Sequence, residues 1–170
     1  MGFYGAILSI VSVVPYIGPA LGFIGWIFLL LSYYNMSKEF KKPEIWKNYL
    51  CSFIIPLVGI VIAIIVGIVK GLSLLKLLEL KSIESIGALI SILIIPLLIA
   101  YISIVIGSYF YKRTLEFVAE ATGEKNFKTA GTLFFVGGIL LIILIGGLLG
   151  FLGNIFLILA FNNLRKSAKS

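Results

Sequence analysis

The 170-residue chain contains no histidine and no aspartate, and its acidic side chains are seven glutamates. Every glutamate lies in a polar connector, so that the apolar runs between the connectors carry neither a carboxylate nor an imidazole. Proton relays, metal sites and haem ligation are built from these groups, and general acid–base catalysis needs one of them in position. We therefore expect a protein that is not an enzyme and that holds no cofactor and no metal. The single cysteine, Cys51, excludes an intrachain disulfide.

Charge is also scarce, since charged residues make up 12% of the chain, compared with about 25% in a soluble domain. Hydrophobic residues reach 61%, and the mean hydropathy is +1.16. This composition predicts an integral membrane protein surrounded by the lipid bilayer, with one membrane domain over residues 1–170. The net charge of +7 comes from short groups of Lys and Arg beside apolar runs. That placement indicates membrane topology and headgroup contact, and we expect no binding of nucleic acid.

The sequence divides into four apolar blocks, at residues 5–34, 48–69, 85–111 and 129–161. The two inner blocks have the length of single spans, because about 20 helical residues cross a hydrocarbon core of roughly 30 Å. The two outer blocks contain 30 and 33 residues. One straight helix of that size would measure about 45–50 Å, so each outer block is predicted to fold into a helical hairpin.

Each outer block contains a candidate hairpin turn. In the first block, Pro15, Gly18 and Pro19 lie where the chain would reverse, and proline disfavours a continuous helix at these positions. In the second block the corresponding position holds Gly146 and Gly147, a weaker signal because glycine is common in membrane helices.

The distribution of Lys and Arg favours the hairpins. Four single spans would place six basic residues on one side and eight on the other, whereas two terminal hairpins would place eleven on one side and three on the other. Because cytoplasmic connectors collect Lys and Arg, the second arrangement puts both termini on the cytoplasmic side of the cell membrane. The predicted fold is an all-α, multi-pass bundle of about six helical segments, with two full central spans flanked by two hairpins. Four long spans remain the alternative.

The two outer blocks also resemble each other, which predicts an internal repeat of residues 5–38 and 137–166. Residues 21–38 read LGFIGWIFLLLSYYNMSK, and residues 149–166 read LGFLGNIFLILAFNNLRK, with ten of eighteen positions identical. Small residues recur at helical spacing in both copies and in the second block. Rows of small residues let helix backbones approach closely in lipid, so we predict helix packing at Gly22, Gly25, Gly59, Ala63, Gly67, Gly150 and Gly153.

Two connectors are predicted to be helical. Residues 71–81 alternate leucines with Lys76, Glu79 and Lys81, a pattern typical of a short helix at the membrane surface. Residues 114–123 carry Glu116 and Glu120 one turn apart, and Gly123 is a natural helix end. We interpret the two glutamates as a solvated face rather than a metal or catalytic site.

The turn at residues 14–18, the glycine-rich run that follows it to Asn35, and the block from Gly131 to Phe161 together resemble a known family. This is a prokaryotic, largely archaeal, membrane-protein family catalogued as domain of unknown function 996. The resemblance implies a small multi-pass membrane protein and brings no activity, cofactor or catalytic residue with it.

Two functions fit these features. The first is a non-catalytic accessory, assembly or structural subunit of a membrane complex, or a homo-oligomer, joined to other membrane subunits or to itself through glycine-lined faces. The alternative is a channel or transporter for a small neutral solute, since repeats and interrupted helices are common in transporters. The few polar groups within the apolar blocks weigh against the alternative.

Overall fold

The computed structural model describes residues 1–11, 16–79, 86–143 and 145–167, and within these ranges the chain is helical with no strand. Six α-helices confirm the predicted all-α fold and its number of segments. Their bounds are α1 Gly2–Val11, α2 Gly18–Glu39, α3 Pro43–Glu79, α4 Ile86–Thr122, α5 Lys125–Ile139 and α6 Ile145–Ser167, with a short 3-10 helix at Leu140–Ile143 between the last two.

The connection between α2 and α3 is tight. The backbone N–H of Phe40 donates to the carbonyl of Met36 at 3.0 Å, which closes the last turn of α2. Lys41 follows in a left-handed conformation with φ +53°. Pro43 is the first residue of α3, where its missing N–H breaks no helical hydrogen bond.

The connection between α4 and α5 contains only two residues. Gly123 has φ +73° and donates its N–H to the carbonyl of Ala119 at 2.8 Å, the geometry of a glycine that ends a helix. Glu124 then caps α5, because its carboxylate accepts the backbone N–H of Asn126 at 3.2 Å. The predicted helix over 114–123 is thus the last part of α4.

Both outer blocks are divided into two helices, as the six-segment prediction requires. In the first block α2 begins at Gly18, with Tyr16 at φ +69° just before it and Pro19 within its first turn. Pro15 lies outside the described residues. In the second block the turn is made upstream of the glycines predicted for it, since the 3-10 helix occupies Leu140–Ile143 and α6 already contains Gly146 and Gly147.

Five helices are long and apolar enough to cross a bilayer, and the chain is a multi-pass membrane protein. The spans cover Ala20–Glu39, Pro43–Ser73, Ile92–Thr122, Lys125–Ile143 and Ile145–Ser167. Helix α1 contains only 10 residues, about 15 Å, which is half the thickness of a hydrocarbon core. The predicted surface helix over 71–81 is not separate as far as Glu79, because α3 continues without interruption to that residue, and residues 80 and 81 lie outside the described ranges.

The chain forms two compact units, one of residues 1–52 with 108–170 and one of residues 53–107. In the first unit the buried core draws on all six helices, and its members are Ala6, Leu29, Tyr33, Met36, Ile45, Tyr49, Leu115, Val118, Phe127, Ala130, Leu157, Ala160 and Phe161. In the second unit Ala63 and Ser103 are buried, whereas most described isoleucines and leucines are exposed. A single domain over 1–170 stays a prediction.

Candidate functional site

The glycines predicted to pack helices have different neighbours, and these neighbours distinguish internal contacts from open faces. In the first hairpin, a Cβ added to Gly25 would lie 2.8 Å from the Cβ of Leu8 and 3.0 Å from the carbonyl of Gly5. A Cβ on Gly5 would lie 2.8 Å from the carbonyl of Gly25 in turn. Only glycine permits this approach of α1 and α2. Gly22 is half-buried one turn earlier in α2.

The second hairpin has an equally close contact at its turn. A Cβ added to Gly146 would collide with the carbonyl of Gly137 and lie 2.5 Å from the backbone nitrogen of Leu141. Both obstacles are backbone atoms, which cannot move away as a flexible side chain would. Gly153 instead faces the ring of Phe134 at 3.3 Å. The glycines of the two hairpins thus make different contacts, and the internal repeat stays a prediction from the sequence.

In the second unit the small residues of α3 face α4. A Cβ on Gly59 would collide with the side chain of Ser103, and one on Gly67 would lie 3.6 Å from the ring of Pro96. Ala63, between the two glycines, is 6% exposed. The row at every fourth residue therefore lies at the contact between two helices.

One face of α6 differs, because a side chain would have room at two of its glycines, although the Gly150 backbone itself is half-buried near Gly137 of α5. Among the residues that the structure describes, a Cβ added to Gly147 or to Gly150 would meet nothing within 4 Å. Asn154 lies on the same face one turn further on, and its amide donates to the carbonyl of Gly150 at 3.1 Å within its own helix. Large apolar side chains beside this face are exposed, among them Leu148 at 66% and Phe151 at 45%. We call Gly147, Gly150, Phe151 and Asn154 the open face of α6.

The centre of the first unit is a cluster of three tyrosines from three helices. Tyr33 of α2 is completely buried, and its ring centroid lies 4.6 Å from that of Tyr49 in α3. The hydroxyls of Tyr33 and Tyr111, which belongs to α4, lie 3.2 Å apart and share a hydrogen bond. Each tyrosine thereby contributes apolar area to the core while the Tyr33 hydroxyl keeps a partner.

Phenylalanines from α5 and α6 surround the tyrosines. The ring of Phe161 lies 6.2 Å from Tyr33 and 5.1 Å from Phe127, which it meets edge to face. Phe134 lies 5.0 Å from Tyr111. Five helices are therefore joined by aromatic contacts, and the cluster is a structural core.

Charged side chains lie close to this core. Glu116 pairs with Lys112 at 3.6 Å and with Arg113 at 3.2 Å, and Glu120 pairs with Lys42 at 3.4 Å. The side chain of Glu120 is 63% exposed, so its ion pair contributes little stability. Both carboxylates thus face cations, but Glu116 is only 19% exposed, so the solvated face stays a prediction.

A groove of about 450 Å³ lies in the second unit along α3 and α4. Isoleucines form most of its lining, and the polar side chain in it is Ser103, whose hydroxyl donates to the carbonyl of Ala100 at 2.7 Å in the same helix. The groove therefore offers apolar contact and little hydrogen bonding.

Sequence reasoning missed the tyrosine cluster, although a signal was present. Tyr33, Tyr49 and Tyr111 all lie at the border between an apolar block and a basic connector. In the hairpin topology these borders share one membrane face, and the three rings are then at the same depth. The contact among the three tyrosines could therefore have been predicted from their shared position next to a connector, although no local motif indicates it.

Comparison with known proteins confirms the resemblance inferred from the sequence. Residues 21–167 match the model of a family described as protein of unknown function DUF996. An uncharacterized protein of Methanocaldococcus jannaschii is 31% identical over 170 residues, covering 100% of this chain and 93% of the relative. No solved structure matches the chain.

Proposed function

We propose that this chain, which belongs to the DUF996 family, is a non-catalytic membrane subunit that associates with another membrane helix, from a partner subunit or a second copy of itself. The observation that supports this role is the open face of α6. Glycine is required at the hairpin contacts, because a Cβ there would collide with the backbone of the neighbouring helix. At Gly147 and Gly150 no contact among the described residues requires glycine.

In a lipid bilayer, a face of this kind favours association with another helix. Apolar side chains gain little by leaving lipid for protein, so helices associate in membranes through close backbone contact and through polar side chains. The open face of α6 offers both, with two glycines and the amide of Asn154 at helical spacing. A helix packed there would approach the backbone at Gly147 and would lie within hydrogen-bonding reach of the Asn154 amide.

The test is native mass spectrometry of the protein released from membranes in a mild detergent. We expect the wild type in a complex, whose mass distinguishes a homo-oligomer from a complex with other subunits. Gly147→Leu combined with Gly150→Leu should yield the monomer, because two leucines would fill the open face. Gly71→Leu is the matched control, since a Cβ at Gly71 likewise meets no described residue within 4 Å and the change adds the same group to α3.

Two results would contradict the proposal. A wild type that is monomeric in native membranes would remove the role as a subunit. A complex that survives the double leucine variant would show that the open face of α6 is not the interface. Unchanged helical content in the variants rules out misfolding as the cause of dissociation.

We also propose that both termini face the cytoplasm. The support is the distribution of basic residues in the hairpin arrangement, with eleven on the terminal side and three opposite. Among the described residues, the basic side chains of this set lie in and beside the α2–α3 and α4–α5 connections and at the end of α6.

The alternative, a channel or transporter for a small neutral solute, has less support. The groove of the second unit is lined by isoleucines, and its serine hydroxyl is bonded within its own helix. Solute flux into vesicles containing the purified protein, absent from protein-free vesicles, would favour the channel over the subunit role.

A further inference from the structure

One exposed face of α5 changes character along the helix. It carries Lys125 and Lys128, then the hydroxyls of Thr129 and Thr132, and then apolar side chains. At 100° per residue these positions project within an arc of about 100°, together with Val136 and Ile139 one and two turns further on. We call these six residues the graded stripe, and they are Lys125, Lys128, Thr129, Thr132, Val136 and Ile139.

The stripe is accessible over its whole length. Both lysines and both threonines are exposed, Val136 is half-buried and Ile139 is 39% exposed. The two lysines and two threonines line a groove of about 510 Å³. From Lys125 to Ile139 the helix rises about 21 Å, so the stripe extends from the start of a membrane span deep into it.

The cations of the stripe are not neutralised by the neighbouring glutamates. Glu116 pairs with Lys112 and Arg113, Glu120 pairs with Lys42, and Glu124 caps α5. Among the described residues no carboxylate pairs with Lys125 or Lys128. The groove thus presents two positive charges and the hydroxyl of Thr129 at the membrane surface, whereas the Thr132 hydroxyl donates to the carbonyl of Lys128 at 3.1 Å. On their other side the two lysines line a second groove with Glu116 and Glu120, whose carboxylates pair with other cations.

We propose that the graded stripe binds one anionic phospholipid, whose headgroup phosphate lies between Lys125 and Lys128. The order of groups along α5 matches the order in such a lipid. Lysines meet the phosphate, the Thr129 hydroxyl meets the polar linkage below it, and Val136 and Ile139 meet an acyl chain. A free phosphate would use the lysines alone, whereas the apolar continuation of the stripe favours a lipid.

The test measures binding of phosphatidylglycerol and phosphatidylcholine, with identical acyl chains, to the full-length protein by native mass spectrometry. We expect the wild type to prefer phosphatidylglycerol. Lys125→Ala with Lys128→Ala should weaken phosphatidylglycerol binding by about tenfold or more, because each lysine near an anionic surface contributes several-fold to affinity. Phosphatidylcholine binding should stay unchanged.

The matched control is Lys47→Ala with Lys166→Ala, which removes the same charge from two exposed lysines on other helices. This control should bind like the wild type, and Lys125→Arg with Lys128→Arg should retain binding. Millimolar inorganic phosphate should not displace the lipid. The proposal is overturned if the alanine pair at 125 and 128 binds as the wild type does, if the control loses as much, if both lipids bind equally, or if inorganic phosphate displaces phosphatidylglycerol.

Discussion

The hydroxyl pair of Tyr33 and Tyr111 permits a quantitative test of the core of the first unit. Each tyrosine is replaced by phenylalanine, singly and together, which removes the hydroxyl and keeps the ring. The two hydroxyls lie 3.2 Å apart and join α2 to α4. Because Tyr33 is completely buried and Tyr111 is half-buried, the two single changes are not equivalent.

The expected magnitudes follow from which hydroxyl loses its partner. Tyr111→Phe leaves the buried hydroxyl of Tyr33 without a partner, at a cost of about 1–3 kcal/mol in the free energy of unfolding. Tyr33→Phe removes the partner of the Tyr111 hydroxyl; because Tyr111 is the less buried residue of the two, the cost should be lower, about 1 kcal/mol. The double variant leaves no orphaned group and should cost less than the sum, with a coupling energy of about 0.6–1.7 kcal/mol.

The assay is reversible unfolding in mixed micelles with increasing denaturing detergent, followed by loss of helical signal. Tyr109→Phe is the control, because Tyr109 is 44% exposed and its ring contacts with Phe110 and Phe135 survive the change. The reasoning fails if Tyr33→Phe costs as much as Tyr111→Phe or more, or if the costs of the two single variants simply add in the double variant.

Three further predictions concern the turns and the topology. Gly146→Ala should destabilise the second hairpin by about 1–3 kcal/mol, because the added Cβ meets backbone atoms. Gly147→Ala, at the adjacent position, should leave the unfolding midpoint of the monomer unchanged or raise it slightly. Gly123→Ala should cost about 1–2 kcal/mol because φ is +73°, and Gly123→Asn should cost less, since asparagine tolerates this conformation; both are read in the same micelle assay. A reporter that is active only in the cytoplasm should be active when fused to either terminus, and an inactive fusion at one terminus would contradict the charge argument.

The division into six helical segments could be predicted because lipid imposes a length on every span. The outer blocks were too long for one span, and in both the helix is interrupted. The end of α4 at Gly123 could also be predicted, since a glycine after a run of helix formers adopts the left-handed conformation at little cost.

The positions of the second turn and of the helix ends in the middle of the chain could not be read from local signals. Glycine pairs are tolerated inside membrane helices. Gly146 lies within α6, where it packs closely against Gly137 of α5 and does not form the turn. The leucine-rich segment after Gly71 has strong helix formers, so α3 continues through it to Glu79. Sequence patterns thus predict which segments are helical more accurately than they predict the residues at which one helix ends and the next begins.

The placement of the buried core explains how the first unit leaves helix faces free. Its large side chains come from the end of α2, the start of α3, the end of α4, the start of α5 and the end of α6, beside the basic connectors. Burial from lipid adds little for aliphatic side chains, so interlocking rings and paired hydroxyls supply the specific contacts there. Towards the opposite ends, glycines close the two hairpins with little side-chain volume. The outer surfaces of α5 and α6 are therefore not needed for the core, and they are the surfaces on which we place a lipid and a partner helix.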